Sequence, residues 1–384
     1  MTKQSAHLDE VYPMLPYKPD SGQGVYLKDV NQRRVLDLYG GHAVASLGYG
    51  HPRLTEALHK QAQQLFFQSN AVNISVRDEA ADKLAEFAPD GLNRVFFVNS
   101  GAEANENALR LALQTTGRNK VVAMEKGFHG RTAAAGAVTW GSRDRWYGFP
   151  NIPMDVTFVP RNDSVALSKA VDQETAAVII EPVQGIAGAF DFEQSFITSA
   201  RAVCDANSAL LILDEVQTGV GRLGTPFGAD YFGVSPDLIT TAKSLGSGFP
   251  CGAVLMRNDM ARDLGPGALG TTFGGGPLAC AAIIAVLDAI KAEDLLANVT
   301  EVSALIRKTC VCGPVTDIQG VGFLLGLRTP ALAASVRNSL LNHDILVGTS
   351  SDPHVLRLLP PLILQPSHVK QLAQALEELT DESL

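Results

Sequence analysis

Leu210-Leu211-Ile212-Leu213-Asp214-Glu215-Val216-Gln217 is the stretch on which the reading of this chain turns. Four consecutive aliphatic residues, without the alternation of a half-exposed strand, predict a strand buried on both faces. That strand stops abruptly at an acid. Ile239-Thr240-Thr241-Ala242-Lys243 repeats the pattern, ending a second apolar run on a lysine beside Gly246 and Gly248. An acid and an amine at the ends of two buried strands predict a binding site at the carboxyl edge of a parallel sheet, where open α/β sheets hold their ligands.

Outward from this stretch, apolar runs predict strands over 95–98, 121–124, 156–159, 177–180, 210–213, 238–241 and 253–256, most of them non-alternating. The last two are separated by Gly246, Gly248 and Pro250 with too few residues for a helical crossover, so they are expected to be antiparallel neighbours. The fold class expected is α/β, a mostly parallel seven-stranded sheet with one reversed strand. Before it, 25–29 and 34–38 read as a hairpin too small to fold alone. Gly48-Tyr49-Gly50-His51-Pro52 is a turn opening a helix to about residue 67, with Pro52 near its first position. Beyond Gly274-Gly275-Gly276-Pro277 come a helix over 278–296, a strand region over 315–327, a helix near 331–342, strands near 345–348 and 355–359, and a helix from Ser367. The division expected is an N-terminal segment, 1–45, packing with a small C-terminal α+β domain, 277–384, and a large domain, 46–276, between them.

The 384 residues leave room for two domains, and a 46% apolar, 18% charged composition is that of a globular protein with a large core. A net charge of −9 argues against nucleic acid as a partner, because a phosphate-binding face needs clustered Lys and Arg. Arg33-Arg34 is the nearest approach to such a cluster. The N-terminal residues open no apolar core of a signal peptide, and no 18-residue apolar run predicts a membrane span. Five irregularly spaced cysteines suit reduced thiols in the cytoplasm. Cys310-Val311-Cys312 lacks the second pair that a metal site needs, so no metal is expected.

Four strand ends carry chemistry. Asn99-Ser100-Gly101-Ala102-Glu103-Ala104-Asn105 opens a helix whose first N–H groups can hold a phosphate, with Gly101 allowing close approach. The same residues also read as an ordinary capping box, Ser100 with Glu103. Gly127-Phe128-His129-Gly130-Arg131 sets an aromatic and a histidine where they can stack on a flat group, with an arginine able to grip a carboxylate. By itself it is also a plain surface loop. Asp214 and Lys243 end the other two strands. Between Lys126 and Lys291 only Lys169 and Lys243 occur, and Lys169 sits in a polar helical stretch. An amine and an acid so placed are what a pyridoxal phosphate enzyme requires: the lysine holds the cofactor as a Schiff base, and the acid keeps the pyridine nitrogen protonated. Gly219-Val220-Gly221-Arg222-Leu223-Gly224 fits a dinucleotide fingerprint, but Thr225-Pro226-Phe227-Gly228 follows where a helix must begin.

Asn99–Asn105, Phe128-His129-Gly130-Arg131, the run from Leu213 to Arg222, Ala242-Lys243-Ser244-Leu245-Gly246 and Gly270-Thr271-Thr272-Phe273-Gly274-Gly275 stand in the order seen in class III aminotransferases. The chain resembles these fold-type I pyridoxal phosphate enzymes from about Tyr12 onward, and most resembles the acetylornithine and ornithine branch. The resemblance implies Lys243 as the lysine that carries the cofactor and shuttles the proton, and Asp214 as the partner of the pyridine nitrogen. It implies Gln217 at the ring oxygen, with Phe128 and Val216 on the ring faces. Ser100, Gly101 and Ala102 would hold the phosphate, with Thr272 reaching it from a second subunit, so a homodimer is implied. His129 and Glu215 join the cofactor-binding set through their places in the motifs. Arg131, with Thr271 nearby, would take the substrate α-carboxylate, and Arg357 the α-carboxylate of 2-oxoglutarate. The activity implied moves the ω-amino group of N-acetylornithine, or a close acylated relative, to 2-oxoglutarate. N-succinylornithine, ornithine, 4-aminobutyrate and a lysine-pathway intermediate are the alternative donors, and a non-catalytic relative is the alternative of another class.

Two departures bear on the donor. The family has Gln-Gly-Glu-Gly-Gly after its Glu-Pro, whereas here Gln184-Gly185 is followed by Ile186-Ala187-Gly188. The missing glutamate is the expected partner of the C-terminal arginine. Arg357 is therefore expected to be exposed, paired elsewhere, or engaged by an acidic group on the donor, because an unpaired buried charge is costly. The aromatic often found after Ser-Asn in this branch is absent at Ser69-Asn70-Ala71-Val72.

Overall fold

The computed structural model describes residues 7–9, 11–262 and 264–379. Near the N-terminal end, β1 (Pro19–Gln23), β2 (Tyr26–Asp29) and β3 (Arg34–Asp37) form an antiparallel ribbon. The predicted hairpin is β2–β3, with Tyr26 opposite Leu36. β1 comes from a Pro- and Gly-punctuated stretch that gave no strand signal. It is an edge strand with Pro19 first, the position a sheet tolerates for proline.

The central sheet holds β4 (Arg94–Val98), β5 (Lys120–Met124), β6 (Asp155–Val159) and β7 (Thr175–Ile180). After a small hairpin of β8 (Val183–Gln184) and β9 (Phe190–Asp191), it is completed by β10 (Leu210–Asp214), β11 (Leu238–Thr241) and β12 (Gly252–Met256). The order is β4-β12-β11-β10-β7-β5-β6, and β12 runs antiparallel to both of its neighbours while the other pairs are parallel. The seven-stranded sheet with one reversed strand is as expected.

Why these strands lack alternation is visible in their packing. Leu211 and Leu213 enter one core with Val178, Ile180 and Ile239, whereas Leu210 and Ile212 enter a second core with Ala177 and Ile179. Successive side chains still point to opposite faces, but both faces are covered. The helix Gly101–Thr116 seals one face through Ala104, Ala108 and Leu111. The helix Pro277–Ala292 packs on Pro52–Gln64 and Ser75–Phe87 in the core of the other.

A third sheet has the order β13-β14-β17-β16, from β13 (Asp317–Val321), β14 (Leu324–Arg328), β16 (Gly348–Thr349) and β17 (Val355–Leu358). β15 (Ile345–Leu346) leaves this sheet to pair in parallel with β3, Ile345 opposite Leu36. Two helix boundaries differ from expectation. The helix expected over 278–296 is two, Pro277–Ala292 and Leu295–Thr309, broken where Asp294 adopts a φ of 49°, a conformation that aspartate tolerates better than most residues. The helix from Pro52 ends at Gln64, which leaves Phe66 and Phe67 outside it and exposed. No helix among the described residues is long and apolar enough to cross a membrane.

Candidate active site

The carboxyl ends of β10 and β11 bring Asp214 and Lys243 to one cavity of about 460 Å³. Asp214 ends its strand opposite Thr240, and Lys243 follows β11 as the first residue of a single helical turn. Lys243 has a φ of 42°, a left-handed conformation that costs a non-glycine residue about 1–3 kcal/mol and is found where a site needs it. Burial pushes the Lys243 amine down to about 8; Asp214 and Glu181 act against that shift and Arg357 adds to it.

Asp214 is held from three sides. Oδ2 accepts from His129 Nδ1 and from Asn105 Nδ2, each at 2.7 Å, and Oδ1 accepts from the Val216 N–H at 3.1 Å. Asn105 is itself fixed by Thr240, whose hydroxyl donates to Asn105 Oδ1 at 2.6 Å. A carboxylate accepts about four hydrogen bonds, so one place remains for a further N–H. Burial works to lower the pKa of His129, but the hydrogen bond and charge of Asp214 outweigh it and the pKa is raised.

The cavity has the shape and the open valences of a site for pyridoxal phosphate. His129 Nε2 and Gln217 Oε1, both on residues that line it, are buried polar atoms without a partner among the described residues. The helix Gly101–Thr116 points its first turn at the cavity, where the Gly101 and Ala102 N–H groups have no partner within the helix. A Cβ on Gly101 would lie 2.6 Å from Val216 Cγ1, so only glycine lets the two segments close around a flat group. Ser100 caps the helix by accepting from Glu103 N–H at 3.2 Å, while the Glu103 carboxylate reaches back to Asn99 N–H at 2.8 Å, one residue before the place a capping box uses. Capping of the Glu103 N–H therefore leaves the Gly101 and Ala102 N–H groups open toward the cavity. Phe128 and Val216 line the same cavity.

A second cavity of about 660 Å³ shares Phe128, Arg131, Gln217 and Lys243 with the first and opens outward past His42, Trp146 and Ile186. Arg131 lies at its wall, its guanidinium 4.9 Å from the Trp146 ring. Arg357 sits on β17 and is buried; it is paired elsewhere, as one expectation had it, and not with an acid. Nε donates to Thr349 O at 2.7 Å, Nη2 to the Tyr39 hydroxyl at 2.9 Å and Nη1 to Gly185 O at 3.4 Å.

Four expected residues, Arg357 among them, line neither of these cavities. Glu215 is another of the four. Its Oε2 accepts from Thr218 Oγ1 at 2.7 Å and from Gly228 N–H at 2.6 Å, and its Oε1 from Ala229 N–H at 2.7 Å, so it ties the segment after its own strand to the start of the turn at Gly228. Its carboxyl is pushed up to about 7, by burial first, with these donors acting the other way. Thr271 Oγ1 accepts from Asn99 Nδ2 at 3.2 Å and from Gly274 N–H at 3.1 Å, behind the cavity wall. Thr272 is exposed, beside exposed Phe273. Conversely, residue patterns did not single out Asn105, Glu181, Tyr39 or His42. Glu181 is buried, lines the first cavity, and accepts from the Phe128 N–H at 2.8 Å. It follows β7 as Asp214 ends β10, so its place at a strand end was the available signal.

A profile of the family described as Aminotransferase class-III matches residues 8–380. The acetylornithine aminotransferase of Methanosarcina mazei is 37% identical over 379 residues, covering 98% of this chain and 95% of that protein. That of Streptomyces coelicolor is 43% identical over 368 residues, 94% of this chain and 90% of that protein. The solved ornithine aminotransferase from Toxoplasma gondii, with PLP at partial occupancy in its active site, superposes with a TM-score of 0.90 at 29% identity, covering 97% of this chain and 91% of that one.

Proposed function

This chain belongs to the class-III aminotransferase family, and from that premise we propose that it moves the ω-amino group of N-acetylornithine, or a close N-acyl relative, to 2-oxoglutarate, giving the semialdehyde and glutamate. It is a transferase dependent on pyridoxal 5'-phosphate. The observation that carries the reading is Lys243 and Asp214 at adjacent parallel strand ends in one cavity, with His129 Nε2 and Gln217 Oε1 unsatisfied beside them. The acetylornithine aminotransferases of M. mazei and S. coelicolor support the donor.

When bound, pyridoxal phosphate supplies an aldehyde that accepts the amine and a protonated ring that draws off electrons. Lys243 Nζ would anchor the group and carry the proton, its lowered pKa leaving a useful share of free amine near neutral pH. Asp214 would keep the ring nitrogen protonated, with His129 and Asn105 fixing the carboxylate. Gln217 would bond the ring oxygen, while Phe128 and Val216 would hold the ring faces. Ser100, Gly101 and Ala102 would cradle the phosphate by the helix N-terminus, where free N–H groups favour an anion. Arg131 would grip the donor carboxylate and Arg357 that of the acceptor, as bidentate arginines do.

The assembly in this reading is a homodimer, with Thr272 of one subunit reaching the phosphate of the other and Thr271 fixing that loop to Asn99. It is supported by the exposed apolar surface of Phe66, Phe67 and Phe273 next to Thr272, where Phe67 and Phe273 ring centres lie 5.3 Å apart. The division into a large unit, 46–276, and a second unit of 1–45 with 277–384 belongs to the same reading, supported by the pairing of β3 with β15. The five free cysteines fit a reducing cytoplasm.

Ile186 in place of an acid favours keeping other ω-amino donors as a second reading. A donor panel decides between them. The loaded protein should lose its visible absorbance with N-acetylornithine and regain it with 2-oxoglutarate. Faster loss with N-succinylornithine, ornithine or 4-aminobutyrate would reassign the donor, and no change with any amine would overturn the reading.

A further inference from the structure

Arg357 is a buried cation with no carboxylate within ion-pairing distance among the described residues. Three of its five N–H groups are spent on the protein: Nε on Thr349 O, one on Nη1 with Gly185 O, and one on Nη2 with the Tyr39 hydroxyl. One N–H remains on each terminal nitrogen, the number a carboxylate takes in a two-pronged bond. Tyr39 is the single side chain in this set.

Tyr39 is itself held with unusual care. Its hydroxyl lies 2.6 Å from His42 Nδ1, and the two rings are 4.7 Å apart at a tilt of 57°. Its ring lies against Gly348, where a Cβ would come within 2.0 Å of it. The backbone that presents His42 is a left-handed turn, with φ of 55° at Gly40 and Gly41, 65° at His42 and 66° at Ala43. Left-handed backbone costs a residue with a side chain roughly 1–2 kcal/mol. Asp37 pins the start of the turn by accepting from Tyr39 N–H at 2.7 Å and Gly40 N–H at 2.9 Å.

We propose that Tyr39, braced by His42, is the residue that orients Arg357 for the acceptor's carboxylate. This rests on the reading of Arg357 as the acceptor subsite. The hydrogen bonds run in one direction: Arg357 Nη2 donates to Tyr39 Oη, which donates to His42 Nδ1. Burial raises the pKa of the Tyr39 hydroxyl, so it keeps its proton. Burial of the ring, then the charges of Arg357 and Lys243, push His42 down to about 4, so it stays a neutral acceptor although one edge is open to the outer cavity. The brace is uncharged. An incoming carboxylate therefore meets an arginine held in place without first having to break an ion pair, which an acid at position 186 would impose.

The test uses the holoenzyme with wild type, Tyr39→Phe and His42→Asn, the last because asparagine tolerates a left-handed backbone. Binding of glutarate, a dicarboxylate with no keto group to react, is measured by calorimetry, and half-saturation by 2-oxoglutarate and by N-acetylornithine is measured in separate half-reactions. Tyr39→Phe should weaken glutarate and 2-oxoglutarate about tenfold, the loss of one hydrogen bond to a charged group, with N-acetylornithine half-saturation moving less than about twofold. His42→Asn should shift the same constants in the same direction by about threefold. Melting temperatures identify a variant that fails to fold, in which case the other variant gives the result. Dicarboxylate constants equal to wild type, or shifts of equal size for donor and acceptor, would overturn the inference while leaving the proposed function standing. A wild-type holoenzyme that binds neither dicarboxylate would overturn both.

Discussion

The imidazole of His129 and the carboxylate of Asp214 meet at 2.7 Å with almost no exposure to solvent. The pair turns a strand end into an oriented acceptor, because Asn105 takes the same oxygen and Val216 N–H the other. Such a carboxylate costs no reorganisation when a ring N–H arrives.

Asp214→Asn keeps the shape and removes the charge. It also turns an amide toward two groups that already donate. The expected result is a kcat lower by about a hundredfold or more, with cofactor still bound. Steady-state rates together with the absorbance of the loaded protein check it, and a loss below threefold would speak against the role.

Lys243 carries a pH signature. Only the neutral amine attaches the cofactor, and burial lowers its pKa from the usual 10.5 to about 8. The rate at which cofactor-free protein takes up pyridoxal phosphate should therefore climb with pH to about 8 and level off above it. A lysine in water would keep climbing toward its ordinary pKa. Growth of the visible absorbance after mixing reads the rate.

Glu215→Ala should behave as a folding lesion. It strands the N–H groups of Gly228 and Ala229 and the Thr218 hydroxyl, all buried. The expected destabilisation is about 2–4 kcal/mol in chemical unfolding. The half-saturation of folded protein by N-acetylornithine should stay within about twofold of wild type. A shift there without loss of stability would return Glu215 to the site.

Phe273→Asp places a charge in the proposed subunit interface. Sedimentation should find a dimer for wild type and a monomer for the variant, and the monomer should hold less cofactor, because in the proposed assembly Thr272 reaches a second subunit's phosphate. A dimer of unchanged stability would move the interface elsewhere.

The large sheet was legible because its strands are buried on both faces, and a run such as 210–213 has few other ways to satisfy its backbone in an apolar core. Asp214 and Lys243 were legible because polar residues at the ends of such runs have one sheet edge to occupy. Glu215 stands in the same motif but lines neither cavity, because neighbouring residues along extended chain face opposite ways. The motif names both, but geometry admits only Asp214 to the cavity. Tyr39 and His42 were not legible at all. Their partner Arg357 lies 318 residues along the chain from Tyr39, and a left-handed turn through His42 and Ala43 has no pattern of apolar residues to announce it. The split at Asp294 escaped for a similar reason, since the apolar periodicity continues on both sides of one unusual φ.

Lys243 as the proposed anchor of the cofactor is open to one direct measurement. Reducing the loaded protein with borohydride fixes pyridoxal phosphate permanently to the amine that holds it, and peptide mass mapping then finds the residue. The added mass is expected on the peptide containing Lys243 in wild type and on no peptide in Lys243→Ala. Cofactor mass on another lysine, or none on Lys243 in a protein that transaminates, would contradict it.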